Sequence, residues 1–187
     1  MPRFDKLLVL DLDETLLHTR AAPLDGREPH GVIGPWVAYR RPHVAAFLDA
    51  ALDLFEVGVW TSAGAGYAAQ AVRWLEGELA FVWSRSRCTR DFDPEQMEVV
   101  HAKPLRKLLR KGWRKEAILA VDDTPAKWRR SYGNLVRVAP FEGDPADDEL
   151  PALLRYLEEL GPAPNVRTIE KRGWRQRTVN GATNAER

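Results

Sequence analysis

Two carboxylates two residues apart, Asp11 and Asp13 in the run Leu10-Asp11-Leu12-Asp13-Glu14-Thr15, are the first residues of the chain whose types and spacing can do chemistry. In extended backbone, side chains at i and i+2 point the same way, so both face one space while Leu12 turns into the core. One carboxylate can take a phosphoryl group as an acyl-phosphate that water then cleaves. The other can protonate the leaving oxygen and afterwards deprotonate that water. Two carboxylates facing a dianionic phosphate repel it, which calls for a hard divalent cation held by oxygen ligands, and magnesium fits best. Asp122 and Asp123 add carboxylates that packing does not explain. Charge on the transferred oxygens must also meet fixed donors, and Thr61, Ser62 and Lys103 supply hydroxyls, backbone amides and an ammonium.

An isolated Asp-x-Asp is common, and a lone lysine such as Lys103 is ordinarily solvated. The weight lies in the elements that carry these residues. Residues 6–12 form a nearly continuous apolar run ending in acids, which suits a strand buried on both faces with an exposed carboxyl end. Residues 55–61 and 117–121 repeat the design, ending in Thr61-Ser62 and Asp122-Asp123, and residues 135–139 make a plausible fourth strand. Helical patterns cover residues 42–54, 66–79, 104–111 and 145–160, with Pro42 and Pro104 where a first turn tolerates proline. Alternating strand and helix predict an α/β fold with a central parallel sheet flanked by helices, whose ligands bind beyond the carboxyl ends of the strands. The polar strand ends then converge on one crevice.

Residues 20–35 interrupt this rhythm with Pro23, Gly26, Pro29, Gly31, Gly34 and Pro35, which reads as a loop or short hairpin after the first motif. One domain over residues 1–160 is expected, followed by a basic extension over 161–187 that docks through Trp174 and frays at its end.

Twenty-eight basic against 27 acidic residues leave a net charge of +1, too little for a strong overall field toward nucleic acid or an anionic membrane. A single cysteine, Cys88, cannot form an internal disulfide and reads as a small buried hydrophobe. With no apolar secretory stretch after Met1, a cytoplasmic setting is expected.

The run from Asp11 through Thr19 resembles the signature of the FCP/SCP-type phosphatases, the haloacid dehalogenase branch that dephosphorylates the RNA polymerase II C-terminal domain. The resemblance continues through Arg40-Arg41-Pro42, Phe47-Leu48, residues 55–61 with Tyr67-Ala68, Lys103 and Val121-Asp122-Asp123-Thr124-Pro125, about 160 residues in all. It implies a haloacid dehalogenase-like Rossmannoid fold and a magnesium-dependent phosphomonoesterase acting on phosphoserine or phosphothreonine. By resemblance, Asp11 is nucleophile and metal ligand, and Asp13 is acid/base and offers its backbone carbonyl to the metal. Thr61 and Lys103 bind phosphate, Asp123 is a direct metal ligand, and Asp122 holds Lys103. Tyr67 corresponds to a position near the substrate groove, Arg85 or Arg87 offers a second phosphate contact, and His18 is structural. The segment 20–35 departs from the family's β insert in being shorter and richer in glycine and proline.

Two other readings keep their place. The basic run Lys103, Arg106, Lys107, Arg110, Lys111, Arg114 and Lys115, with Arg129 and Arg130, is either a solvated face or a track for nucleic-acid ends, and a small phosphorylated metabolite is a further possible substrate. A non-catalytic binding module would share the motifs without turnover.

Overall fold

Leu7, Leu8, Val9 and Leu10 are all buried without a polar interruption, so this segment needs cover on both faces. It forms β1 (Leu7–Leu10), the middle of the sheet. The computed structural model describes residues 1–177. In chain order there follow β2 (Leu17–Arg20), β3 (Gly31–Ile33), β4 (Trp36–Arg40), α1 (Val44–Leu54), β5 (Glu56–Trp60), α2 (Ala65–Ala71) and β6 (Phe81–Trp83). The rest are β7 (Thr89–Asp93), β8 (Glu98–Ala102), α3 (Arg106–Leu109), β9 (Ile118–Asp122), β10 (Leu135–Arg137) and α4 (Glu149–Leu160).

Among the described residues the main sheet has five strands, ordered β10-β9-β1-β5-β6, and every pairing is parallel. Leu8, Leu10, Val57, Val59, Leu119 and Val121 pack in one apolar cluster with Phe47, Leu48 and Ala51 of α1 and Leu150, Leu153 and Leu157 of α4. The alternate residues Leu7, Val9, Ile118 and Ala120 join a second cluster with Leu108, Trp60, Trp83 and Trp128. Each fully buried Leu or Val contributes about 1.5–3 kcal/mol over leaving it in water. The two clusters clamp β1 and set the level of its carboxyl end.

The four expected strands are present, three of them shorter and the one at 117–121 shifted by one residue. Asp11 and Leu12 lie beyond the end of β1, while β9 runs one residue further than expected and carries Asp122 as its last residue. The edge strand β6 and the antiparallel hairpin β7-β8 were not anticipated. Helices 66–79 and 104–111 shrink to α2 and α3: after α2 a tighter turn over Val72–Trp74 leads into Leu75, extended at φ −103° and ψ 116°, and after α3 the amides of Lys111 and Gly112 bond back three residues, to the Leu108 and Leu109 carbonyls, instead of four. The last helix begins at Glu149 instead of Pro145, where Asp147 Oδ1 accepts from the Glu149 amide at 3.1 Å.

The segment 20–35 is more ordered than a loop. β2, β4 and β3 make a three-stranded antiparallel sheet, closed between β3 and β4 at Gly34, whose φ of 58° a side chain would oppose. Beyond residue 160 the chain stays on the body through residue 177. Val166 is fully buried, and Trp174 stacks on Tyr156 with a centroid separation of 5.4 Å while donating from Nε1 to the Arg137 carbonyl at 2.7 Å. The expected fraying from residue 180 lies outside the described residues. No described helix is long and apolar enough to cross a membrane.

Candidate active site

The register of the sheet aligns the acids before any side chain is considered. Leu10 lies beside Val59 of β5 and Val121 of β9, so Asp11 follows level with Trp60 and Asp122. The Asp11 amide donates to the Val121 carbonyl at 3.0 Å. The chain then turns sharply. The amides of Thr15, Leu16 and Leu17 converge on the Leu12 carbonyl at 3.2, 2.8 and 3.2 Å, and Glu14 takes a left-handed φ of 57°. Buried Arg41 braces this turn by donating to the Thr15 carbonyl at 3.1 Å and, in two-pronged fashion, to Asp147 at 2.8 Å for each oxygen.

Asp11 Oδ1 accepts from the Leu12 amide at 2.9 Å and lies 3.0 Å from Lys103 Nζ. Lys103 Nζ also donates to Asp122 Oδ2 at 2.6 Å, above the Trp128 ring, whose own Nε1 donates to the same oxygen at 2.9 Å. The expected catalytic lysine is thus fully enclosed. Thr124 donates its amide to Asp122 Oδ1 and its hydroxyl to Asp123 Oδ2, each at 3.0 Å.

Asp13 faces a different set of partners. Thr61 Oγ1 donates to Asp13 Oδ2 at 3.3 Å while accepting from the Ala63 amide at 2.9 Å. The Tyr67 hydroxyl donates to Asp13 Oδ1 and lies 3.0 Å from Thr19 Oγ1. Tyr67 therefore holds Asp13 at the heart of the site. Ser62 contributes its carbonyl, which accepts from Arg85 Nε at 2.7 Å and leaves the exposed Arg85 guanidinium at the mouth. Arg87 is turned away, its guanidinium 5.3 Å from the Trp83 ring centroid.

Burial raises the Asp13 carboxyl above its ordinary value; Tyr67 works against this, and the negative charge of Asp11 adds to it. Burial also would raise Asp122, yet Lys103 and Lys127 outweigh it and hold that carboxyl low. The same pressures push Glu14 up to about 7, with burial first and the charges of Asp13 and Asp123 next. Glu14 Oε1 lies 3.1 Å from His18 Nδ1, whose ring is lowered by burial and by Arg20. The environments of the two catalytic candidates thus differ in kind: Asp11 sits among cations, and Asp13 sits between two hydroxyl donors in a buried position whose desolvation raises it.

Sequence reading missed Lys127. Its Nζ lies 2.5 Å from Asp11 Oδ2, 3.3 Å from Asp122 Oδ1 and 3.8 Å from Asp123 Oδ1. Burial works against its charge, but Asp11 and Asp122 keep the ammonium well above the usual lysine range. The available signal was its position four after Asp123, which one helical turn brings to the same side. Trp128, Glu14 and Arg41 were also missed as supports. The basic run is no single track: Lys103 is enclosed, Lys107 Nζ donates to the Arg87 carbonyl at 2.6 Å, Arg114 meets Asp5, and Arg129 and Arg130 meet Asp91. Cys88 is half-buried, its thiol 3.7 Å from the Thr61 carbonyl and raised chiefly by burial.

One oxygen from each of Asp11, Asp122 and Asp123 can be chosen so that all lie within 4.8 Å of one another. Asp123 Oδ1 is buried and has no hydrogen-bond partner among the described residues. An all-oxygen set with an unsatisfied carboxylate oxygen fits a hard divalent cation. The Asp13 carboxylate stands apart from this cluster, committed to Thr61 and Tyr67.

A parallel sheet with acids at the ends of two adjacent strands, hydroxyls at the end of a third, a buried lysine between the acids and a small antiparallel insert after the first strand defines a haloacid dehalogenase-type α/β domain. Its fold matches that of the fission yeast RNA polymerase II CTD phosphatase Fcp1 bound to beryllium fluoride, with a TM-score of 0.56 and 19% identity over 97% of this chain and 50% of that one. The family model described as NLI interacting factor-like phosphatase matches residues 6–167, and the chain belongs to that family. The human carboxy-terminal domain RNA polymerase II polypeptide A small phosphatase 1 is 31% identical over 172 residues, covering 88% of this chain and 63% of the relative. The CTD nuclear envelope phosphatase 1B of Danio rerio is 26% identical over 190 residues, covering 91% of this chain and 73% of the relative. The chain thus spans a little under two thirds of the human relative's length.

Proposed function

We propose that this chain is a magnesium-dependent phosphomonoesterase that works through an aspartyl-phosphate on Asp11 and acts on phosphoserine or phosphothreonine in a protein. The observation that carries the reading is the contrast between Asp11, held among lysines beside Asp122 and Asp123, and Asp13, held by Thr61 and Tyr67 with its carboxyl raised. The relatives' printed names, all phosphatases and several of the polymerase tail, support a phosphoprotein substrate. The single half-buried Cys88 is compatible with the cytoplasmic setting that we also propose.

Asp11, Asp123 and the Asp13 backbone carbonyl would hold the cation, which supplies charge neutralisation for the phosphate and the attacking carboxylate. The Asp11 carboxylate attacks phosphorus. A raised Asp13 gives its proton to the departing ester oxygen and later takes one from the water that cleaves the acyl-phosphate. Thr61 and Lys103 meet the phosphoryl oxygens, and Asp122 keeps Lys103 charged and aimed. Arg85 at the mouth contacts the substrate beyond the reacting phosphate.

The test is a panel of an aryl phosphate, phosphopeptides, nucleotide ends and sugar phosphates with magnesium, run on the natural protein and on Asp11→Asn. Turnover of phosphopeptides that falls about 10⁴-fold or more in Asp11→Asn is expected. Activity surviving the substitution would refute the nucleophile, and preference for nucleotide ends or sugar phosphates would move the substrate class. No turnover of any ester would leave a binding module.

A further inference from the structure

Lys103 and Lys127 both reach the acids of the site, but they are held differently. Lys103 has no exposed side-chain surface, and its ammonium is pinned between Asp11 and Asp122 above the Trp128 ring. Lys127 keeps 14% of its side chain exposed. Its backbone is anchored, the carbonyl accepting from the Lys103 amide at 2.8 Å and the amide donating to the Thr124 carbonyl at 3.2 Å. The stem is therefore fixed while the tip has a path to solvent.

That tip lies against one oxygen each of Asp11, Asp122 and Asp123, at 2.5, 3.3 and 3.8 Å. These are the same three carboxylates that form the candidate cation cluster. An ammonium seated among these carboxylates and a divalent cation held by Asp11 and Asp123 exclude one another by volume and by charge. Without a positive charge, three converging carboxylates in a largely enclosed space would repel strongly.

We propose that Lys127 is a built-in counter-ion of the cation site: its ammonium holds the three carboxylates together and caps Asp11 Oδ2 until a divalent cation displaces it toward solvent. This deepens the phosphatase reading and rests on it for the identity of the site. With Oδ1 occupied by the Leu12 amide and Lys103 and Oδ2 by Lys127, the nucleophile has no free oxygen in the resting arrangement. Displacement of one lysine by the cation then couples metal loading to release of the attacking group. Because only the fraction of molecules with Lys127 displaced can accept the cation, the apparent affinity of the natural protein is reduced by that fraction.

The deciding measurement is a brief pulse of an amine-acylating reagent on the natural protein, with magnesium chloride or with sodium chloride of equal ionic strength, read residue by residue by mass spectrometry. Magnesium should raise acylation of Lys127 about fivefold or more, by the same fractional argument, and leave Lys103 protected. An unchanged or reduced rate at Lys127, or an equal rise at Lys103 showing that the whole site opens, would overturn the proposal. Calorimetry on Lys127→Met should show magnesium bound about fivefold or more tightly than by the natural protein, and equal or weaker binding would count against it. If that variant does not fold, the labelling of the natural protein decides alone. Neither readout uses turnover: an inactive protein whose Lys127 is released by magnesium loses the phosphatase reading and keeps this one, and an active protein with unchanged labelling does the reverse.

Discussion

Two of the regions that hold lysines in this molecule do so by opposite means. Lys103 and Lys127 are placed among carboxylates at the carboxyl edge of the sheet. Lys171, 6% exposed, is placed among neutral dipoles, donating to the carbonyls of Gly133 at 2.8 Å, Ile169 at 3.0 Å and Val166. The first arrangement concentrates more negative than positive charge, so it stores a demand for a further cation. The second satisfies one ammonium with backbone acceptors and ties residues 166–171 to the turn before β10. Charge matched by charge can be exchanged for a ligand, whereas charge matched by backbone serves the fold.

The comparison can be broken by substitutions that should separate turnover from stability. Asp13→Asn, which keeps the shape and removes the proton carrier, should lower turnover about 10²–10⁴-fold with melting within a few degrees of the natural protein. The loss should be greatest for esters with poor leaving groups; an equal loss for aryl and alkyl esters would deny Asp13 its acid role. Lys171→Met should do the opposite, leaving turnover per folded molecule unchanged while the melting temperature falls by about 5–10 °C, as three backbone carbonyls, that of Val166 buried, lose a charged donor. Reduced turnover at full stability would mean that the tail reaches the site.

The smallest effect is on pH dependence. Asp122 has a folded value below its unfolded one, so its contribution is complete above about pH 3.8 and is lost as the pH falls through the folded value. Burial pulls Lys171 down to about 8, below its unfolded 10.5, so between those values the unfolded chain holds the extra proton and stability gained from this group rises with pH. Urea titrations across both windows should show the alkaline rise vanish in Lys171→Met and the acid loss remain. An alkaline rise that persists in the variant would assign it to another group.

Much of the candidate site is legible in the sequence, and the reason is local. Residues 6–12, 55–61 and 117–121 are apolar runs that end in groups no core can hide, so the strand ends announce both the sheet and its crevice. The family resemblance then ordered Asp11, Asp13, Thr61, Lys103 and Asp123 within that crevice. Helix lengths were overestimated where apolar spacing continues past the point at which the backbone tightens or becomes extended, as at Val72–Leu75 and after Leu109, because periodicity does not record backbone conformation. For the insert the sequence left a loop and a short hairpin open, because its glycines and prolines mask the β2-β4-β3 ladder, which exists only through pairing across the chain.

Lys127 shows where local reading ends. In Ala126-Lys127-Trp128-Arg129-Arg130 it is one cation among several, and apart from its spacing of four from Asp123 nothing distinguishes it from Arg129 and Arg130, which point to Asp91. Only the turn of the chain after Thr124, locked by the Lys103 amide onto the Lys127 carbonyl, sends one of these side chains inward. The sequence by itself determined the strand ends, and with them the kind of chemistry, because acids and hydroxyls after buried strands must face the crevice. The tertiary structure alone decided which lysine meets which carboxylate, because that depends on the register of three strands and the path of a turn that no short stretch of residues encodes.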